Sequence, residues 1–493
     1  MNPDTLNGLY QASNFLPLLS TCIGVFLGLV VGMIPGMTIS TGIIIVLPVT
    51  FVLPADISIA LLLGLYVGGM TGGSFSAILL NIPGTPSASA TAVDGFAMAI
   101  KGEAGRALGI AITASFVGGL FSFLCLFFIA PLLANIALEF RTEDMFSLVF
   151  FGLTIICSFA TKSLVKGLIS AALGLALVTI GQDPVMGTPR FTFGQADLMA
   201  GVHFLTAMIG LFAIPQLVDN LKNTEGGRQV QARVTSILPA LSDLKAIRLP
   251  VCIGSIIGSF LGMLPGAGGP IAAFISYDYS RRAAKNPTDF GHGTPEGVAA
   301  PESANNAVTG GALIPMMTLG IPGDPVTAIL IGALMIHGLA PGPLLFMERG
   351  DFAYGIIFSF FWANIFNFII ALLGLRFLIK LLAAPRALLM PTVAVLCVIG
   401  SYALRNNFFD VYVMLFFGFI GITMRWLDMP IVPMLLALVL GNQLEEHLRV
   451  ALTSSRGDIS IFFSSPISIG FLCLSALSII WSLQSNRKRS NTN

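Results

Sequence analysis

Charge is scarce in this 493-residue chain: only 10% of its residues are Asp, Glu, Lys or Arg, where a soluble domain carries about 25%. So few charges cannot cover the surface of a water-soluble protein of this length. The balance is also nearly even, 25 Lys and Arg against 24 Asp and Glu. That excludes a basic surface for nucleic acid and an acidic disordered tail. The six cysteines all sit in apolar stretches, with no CxxC and no paired spacing. They read as packing residues, and neither disulfides nor a metal site is implied. The four histidines are isolated, HExxH is absent, and no pair of membrane acids suggests an aspartyl protease, so the chain reads as no enzyme. No GxxxxGK[ST] loop is present for a nucleotide. No Lys or Arg precedes the first apolar run, whereas a cleavable signal peptide wants a basic start, so that segment is expected to be retained.

What is present is apolar. Hydrophobic residues make up 55% of the chain, there are 53 glycines, and mean hydropathy is +0.89. The class is an all-α polytopic membrane protein embedded in a lipid bilayer. Sorting the basic residues by where each apolar run turns around puts nineteen of the 25 in the cytoplasm. Arg141, Arg190, Arg349, Arg405, Arg449 and Arg456 remain outside. This is the bias of the positive-inside rule, and it places the N-terminus outside and the Arg487-Lys488-Arg489 tail inside. The reading divides the chain into a first membrane repeat at 1–218, a cytoplasmic linker at 219–248, a second repeat at 249–484 and a basic tail at 485–493.

The halves are related. Residues 22–36 read CIGVFLGLVVGMIPG and residues 252–266 read CIGSIIGSFLGMLPG, identical at eight of fifteen positions. A second pair, TGGSFSAILLNIPGTP at 71–86 and TGGALIPMMTLGIPGDP at 309–325, differs by one inserted residue. Small-xxx-small packing accounts for the glycine spacing but not for the repeated Met-x-Pro-Gly that ends each ladder. The first copy starts outside and the second inside, so the repeats are inverted in the membrane. About thirty apolar residues between Arg248 and Arg281, with Pro265 to Pro270 in the middle, have basic flanks at both ends. That pattern predicts a re-entrant hairpin, or two short spans of the same parity. Residues 18–54 are its mirror partner, with a tip at Pro35, Gly36 and Thr38.

The segments Asn81-Ile-Pro83-Gly84-Thr85-Pro86 and Gly320-Ile-Pro322-Gly323-Asp324-Pro325 each interrupt an apolar run. Two prolines beside a glycine stop a helix, and broken backbone at membrane depth survives only in protein or along a wet cavity. Paired breaks in corresponding places point to a transporter's binding site. Half-helix N-termini there offer free amides to a carboxylate. Thr85, Ser87, Ser89 and Thr91 add neutral donors, as do Thr38, Ser40 and Thr41 at one tip and the amides of Gly266, Gly268 and Gly269 at the other. Asp324 binds a cation or, preferably, caps the following half-helix. Upstream, Ser303, Asn305, Asn306 and Thr309 supply hard oxygens appropriate to Na⁺. Glu302 carries two readings, a helix-start acid at the cytoplasmic mouth or a functional member of this group. No Lys or Arg is forced to the midplane.

The Gly-Met-x-Pro-Gly ladders, ILLNIPGTP, GVAAPESANNAVTGGALIPMMTLGIPGDP at 297–325 and APGPLLF at 340–346 closely resemble the large membrane subunit of tripartite tricarboxylate transporters (TctA type). The resemblance covers nearly the whole chain, including the segment Gly441 to Arg449. It implies a secondary transporter of the bacterial inner membrane, driven by a Na⁺ or H⁺ gradient, with no bound cofactor. It also implies a small four-helix membrane subunit (TctB type) and a periplasmic solute-binding protein (TctC type). The implied substrates are small carboxylates, tricarboxylates and dicarboxylates among them. Some members carry an Arg shortly after the Gly-Gly before the first break. Here Ser74 follows Gly73, which leaves a smaller or less charged anion open. A carrier for another small solute and a passive channel are the alternative readings.

Overall fold

The computed structural model describes residues 3–34, 37–159, 163–222, 238–266, 268–381 and 386–490. Pro35 and Gly36 at the first expected tip, and residues 223–237 of the expected linker, therefore lie outside the described residues.

Helix dominates. In chain order the first stretch holds α1 (Pro3–Ser13), α2 (Phe15–Met33), α3 (Ile39–Thr50), α4 (Ala55–Leu80), α5 (Ala88–Ile100) and α6 (Ala104–Ala137). Then come α7 (Thr142–Phe159), α8 (Leu164–Val178), a short antiparallel ribbon of β1 (Gly181–Gln182) and β2 (Pro189–Arg190), and α9 (Phe204–Lys222). The chain continues through α10 (Leu241–Ala246), α11 (Arg248–Met263), α12 (Gly268–Ala283), α13 (Pro295–Leu319), α14 (Pro325–Ile336), α15 (Pro343–Glu348) and α16 (Gly350–Leu381). It closes with α17 (Arg386–Ala403), α18 (Phe408–Trp426), α19 (Ile431–Ser454) and α20 (Pro466–Ser490). Among the described residues five helices, α2, α4, α6, α16 and α18, are long and apolar enough to cross a membrane. The chain is an all-α polytopic membrane protein.

Two compact units form. One takes Met1–Ala134 and Gln216–Leu396, the other Asn135–Pro215 and Cys397–Asn493. Each half of the sequence thus gives its leading part to the first unit and its trailing part to the second.

In the first unit the glycine ladders are helix contacts. A Cβ built on Gly24, Gly28 or Gly32 of α2 would meet the carbonyl oxygens of Leu61, Leu65 and Gly69 of α4 at 2.1, 2.3 and 2.2 Å. On α11, a Cβ at Gly254, Gly258 or Gly262 would meet those of Ala300, Ala304 and Val308 of α13 at 2.4, 2.3 and 2.6 Å. Backbones this close leave no room for a side chain, so every fourth position must be glycine. The duplicated sequence therefore encodes a duplicated packing, α2 on α4 and α11 on α13. Across the repeats, α3 packs on α14 and α12 packs on α5. Helices α11 and α12, 16 residues each, pack on one another. Both fall short of the roughly 20 residues a span needs, which suits the expected hairpin.

The second unit has its own core of Ala207, Leu211, Phe417, Met424, Met434 and Leu438. The ribbon after α8 is clasped by charge. Arg190 pairs with Glu445 at 2.6 Å and Arg449 with Asp183 at 2.6 Å. The Met186 amide first, then the Val185 amide and Arg449, hold the Asp183 carboxyl down to about 2.

Candidate functional site

Each break begins with a left-handed residue that ends the preceding helix: Asn81 (φ 55°) after α4 and Gly320 (φ 68°) after α13. Asn81 is exposed, while Gly320 is buried. The prolines that follow, Pro83 and Pro322, prevent resumption. At Gly84 a Cβ would lie 1.9 Å from the Gly32 carbonyl oxygen, and at Gly323 2.8 Å from that of Gly262. Both breaks thus rest on the last glycine within the helix of their own ladder, Gly32 of α2 and Gly262 of α11.

The second break is closed around its polar groups. Asp324 is the N-cap of α14, accepting from the Thr327 amide at 2.8 Å, and it also accepts from the Tyr66 hydroxyl. The cap is the preferred expectation for this acid. The Gly266 amide donates to the Gly323 carbonyl at 2.9 Å. Pro265, Gly266, Pro322, Gly323 and Asp324 thereby fall into one cluster. Thr38 caps α3, accepting from the Thr41 amide at 3.2 Å.

The first break is built differently. The Thr85 and Ser87 hydroxyls lie 3.1 Å apart. The start of α12 faces them: a Cβ on Gly269 would be 3.2 Å from the Ser87 Cβ and 3.1 Å from Asn305 Oδ1. Asn305 Nδ2 donates to the Met70 carbonyl at 3.1 Å, while its Oδ1 has no donor. The register of the ladders explains the pairing of these roles. Tyr66 follows Leu65 on α4 as Asn305 follows Ala304 on α13. Each corresponding residue reaches across to the opposite repeat, Tyr66 to the second break and Asn305 to the helix starts at the first. The tyrosine finds an acid and closes its site. The asparagine leaves a carbonyl oxygen beside two hydroxyls and the N-terminal ends of α5 and α12. Neutral donors with positive helix ends suit a carboxylate that must be released, since a buried ion pair is costly to break.

A buried polar layer adjoins this place. Glu302 Oε1 accepts from the Thr91 hydroxyl at 2.5 Å and Oε2 from Ser115 at 3.2 Å. Asn306 Nδ2 donates to Ser115 Oγ at 2.8 Å, and Asn306 Oδ1 accepts from the Thr71 hydroxyl at 2.9 Å. Asn367 of α16 donates to Thr71 at 2.8 Å. All six residues are essentially inaccessible. Glu302 is not a helix-start acid, because that place belongs to Glu296 in the first turn of α13. Of the four expected cation ligands, Asn305 and Asn306 face this interior. The Ser303 hydroxyl bonds the Ala300 carbonyl beneath Gly254, and the Thr309 hydroxyl bonds the Asn306 carbonyl. The latter two are committed to their own helix. Sequence reasoning passed over Tyr66, Thr71, Ser115 and Asn367. For Asn367, the pair Asn364 and Asn367 inside the apolar helix at 350–381 is the available signal.

Asp94 serves the frame. It accepts from the amides of Gly291, Gly293 and Thr294 and from the Tyr277 hydroxyl, at 2.7–3.1 Å. This ties α5 to the loop that starts α13.

Comparison with known proteins gives a match to the Tripartite tricarboxylate transporter TctA family over residues 18–436. The chain belongs to the TctA family. Among relatives, an Agrobacterium vitis protein described as "Uncharacterized 52.8 kDa protein in TAR-I ttuC' 3'region" is 40% identical over 473 residues, covering 95% of this chain and 94% of the relative. A second from the same organism, "Uncharacterized protein in TAR-II ttuC' 3'region", is 41% identical over 226 residues, 46% of this chain and 93% of the relative. No solved structure matches. The TctA match takes in both glycine ladders, both breaks and the whole buried polar layer.

Proposed function

We propose that this TctA protein is the large transmembrane subunit of a binding-protein-dependent secondary transporter that imports small carboxylates on a Na⁺ or H⁺ gradient. One observation carries the reading: paired helix breaks, one of them lined by neutral donors and helix N-termini with no acid to close it, in a family of transporters. Such a site binds an anion without a fixed counter-charge and can let it go. The chain sits in the bacterial inner membrane with its N-terminus periplasmic and its C-terminus cytoplasmic, and its halves are inverted repeats. A TctB-type membrane subunit and a TctC-type periplasmic binding protein complete the system. The reciprocal packing of α3 on α14 and α12 on α5 supports the inverted pair. Ser74 is buried and bonds the Thr71 carbonyl, so the wall before the first break presents no cation to a third carboxylate.

The test is uptake of a labelled carboxylate panel by cells carrying this chain with both partners, under separately imposed Na⁺ and H⁺ gradients. Uptake that needs the binding protein and one gradient is the expected result. Uptake indifferent to both would replace this reading with a channel or a stand-alone carrier.

A further inference from the structure

The geometry points to a Na⁺ site at Glu302, with the Glu302 carboxylate as its charged ligand and the Thr91 and Ser115 hydroxyl oxygens beside it. The inference rests on the transport reading only for its use, as the binding step that couples the gradient; the site itself follows from the packing.

The interior around α13 holds more lone pairs than donors. Glu302 is fully buried, and its carboxyl oxygens are met only by the hydroxyls of Thr91 and Ser115. No Lys, Arg or His among the described residues bonds it. One further oxygen in the same connected layer, Asn367 Oδ1, has no donor among the described residues, and neither has Asn305 Oδ1 at the adjoining first break; both residues are fully or almost fully buried. Each orphaned acceptor and the unpaired carboxylate carries the desolvation cost of a buried polar group. A hard cation on the Glu302 carboxylate relieves that group's share of the cost, and carboxylate and hydroxyl oxygens belong to the donor set hard cations prefer. An ionisable residue at membrane depth marks an ion pathway by default.

Asp94, Arg106 and Tyr66, on elements around Glu302, are each engaged elsewhere. On α5, Asp94 takes its four donors from Tyr277 and the loop before α13. On α6, Arg106 is tied to Glu103 and Asp243. Tyr66 of α4 is held by Asp324 of α14. The faces of α11 and α12 against α13 present glycine, alanine and serine.

The site also lies where coupling needs it. Ser87, at the first break, and Thr91 are one turn apart on the same side of α5. Thr91 bonds Glu302, while Ser87 stands with Gly269 beside Asn305. A cation on Glu302 thereby draws α13 and α5 together next to the carboxylate position.

The experiment is thermal unfolding of the purified full chain in NaCl and in KCl, for the wild type and for Glu302→Gln, which keeps the shape and one acceptor oxygen while removing the charge. The wild type is expected to show a Na⁺-dependent rise in Tm that K⁺ does not give, by preferential binding to the folded state. Glu302→Gln should lose that rise while unfolding in KCl within the wild-type range. Thr91→Ser should keep the rise, and Thr91→Val should raise the half-saturating Na⁺ concentration about tenfold, the size of one lost charge-assisted contact. Equal Tm in both salts for the wild type, or an undiminished Na⁺ shift in Glu302→Gln, overturns the site. A Na⁺ shift that vanishes in Glu302→Gln, in a protein that moves no carboxylate, would uphold the site and sink the transport reading instead.

Discussion

At the scale of single residues, the asparagines of α13 show how position decides a polar side chain's part. Asn306 joins three helices through Ser115, Thr71 and the Glu302 carbonyl. Thr309, less than one turn on, bonds only the Asn306 carbonyl. Removing Asn306 leaves the buried Thr71 hydroxyl without its acceptor and takes one donor from Ser115, at a cost of about 1–3 kcal/mol for an unsatisfied group. Removing the Thr309 hydroxyl strands nothing outside the helix. Asn306→Ala is therefore expected to lower Tm and raise the half-saturating coupling-ion concentration for uptake, with Thr309→Ala close to wild type in both. Equal effects from the two variants would contradict this division. The sequence placed both residues in one group because composition alone shows oxygens within two turns. Which oxygen faces inward depends on the neighbour each turn meets.

At the scale of elements, glycine repeats and proline breaks are the legible part. A Gly every fourth residue describes a helix face with no side chains, and two repeats of it anticipate two equivalent close contacts. Those contacts are present, α2 on α4 and α11 on α13. The partner of each break was not legible, because partners come from the other repeat, well over a hundred residues away. The approach of Ser87 to Gly269 is such a contact, and it can be trapped. A Cβ at Gly269 would stand 3.2 Å from that of Ser87, near the 3.5–4.5 Å Cβ separation of a disulfide. The double variant Ser87→Cys and Gly269→Cys should cross-link under mild oxidant and stop uptake, and reductant should restore it. Failure to cross-link, in protein that unfolds at the wild-type temperature, would remove this contact from the site.

At the scale of the whole molecule, orientation follows from charge. With nineteen of 25 basic residues assigned to the cytoplasm, a Cys at Asp4 should react with a membrane-impermeant label from the periplasm, and one at Ser485 should not. Labelling of both from the same side would refute the inverted arrangement. Class, repeat and breaks were open to the sequence because they rest on local rules: hydropathy over about 20 residues, close packing at glycine, and the missing amide of proline. The division into units was not open to it, since each unit draws on both halves of the chain. Nor was the closing of one break by Tyr66 and Asp324 while its counterpart is left with the unpaired Asn305 Oδ1. Those outcomes depend on which side chains from distant segments share one water-free interior, where every donor and acceptor must find a partner. Only the tertiary structure assigns the partners.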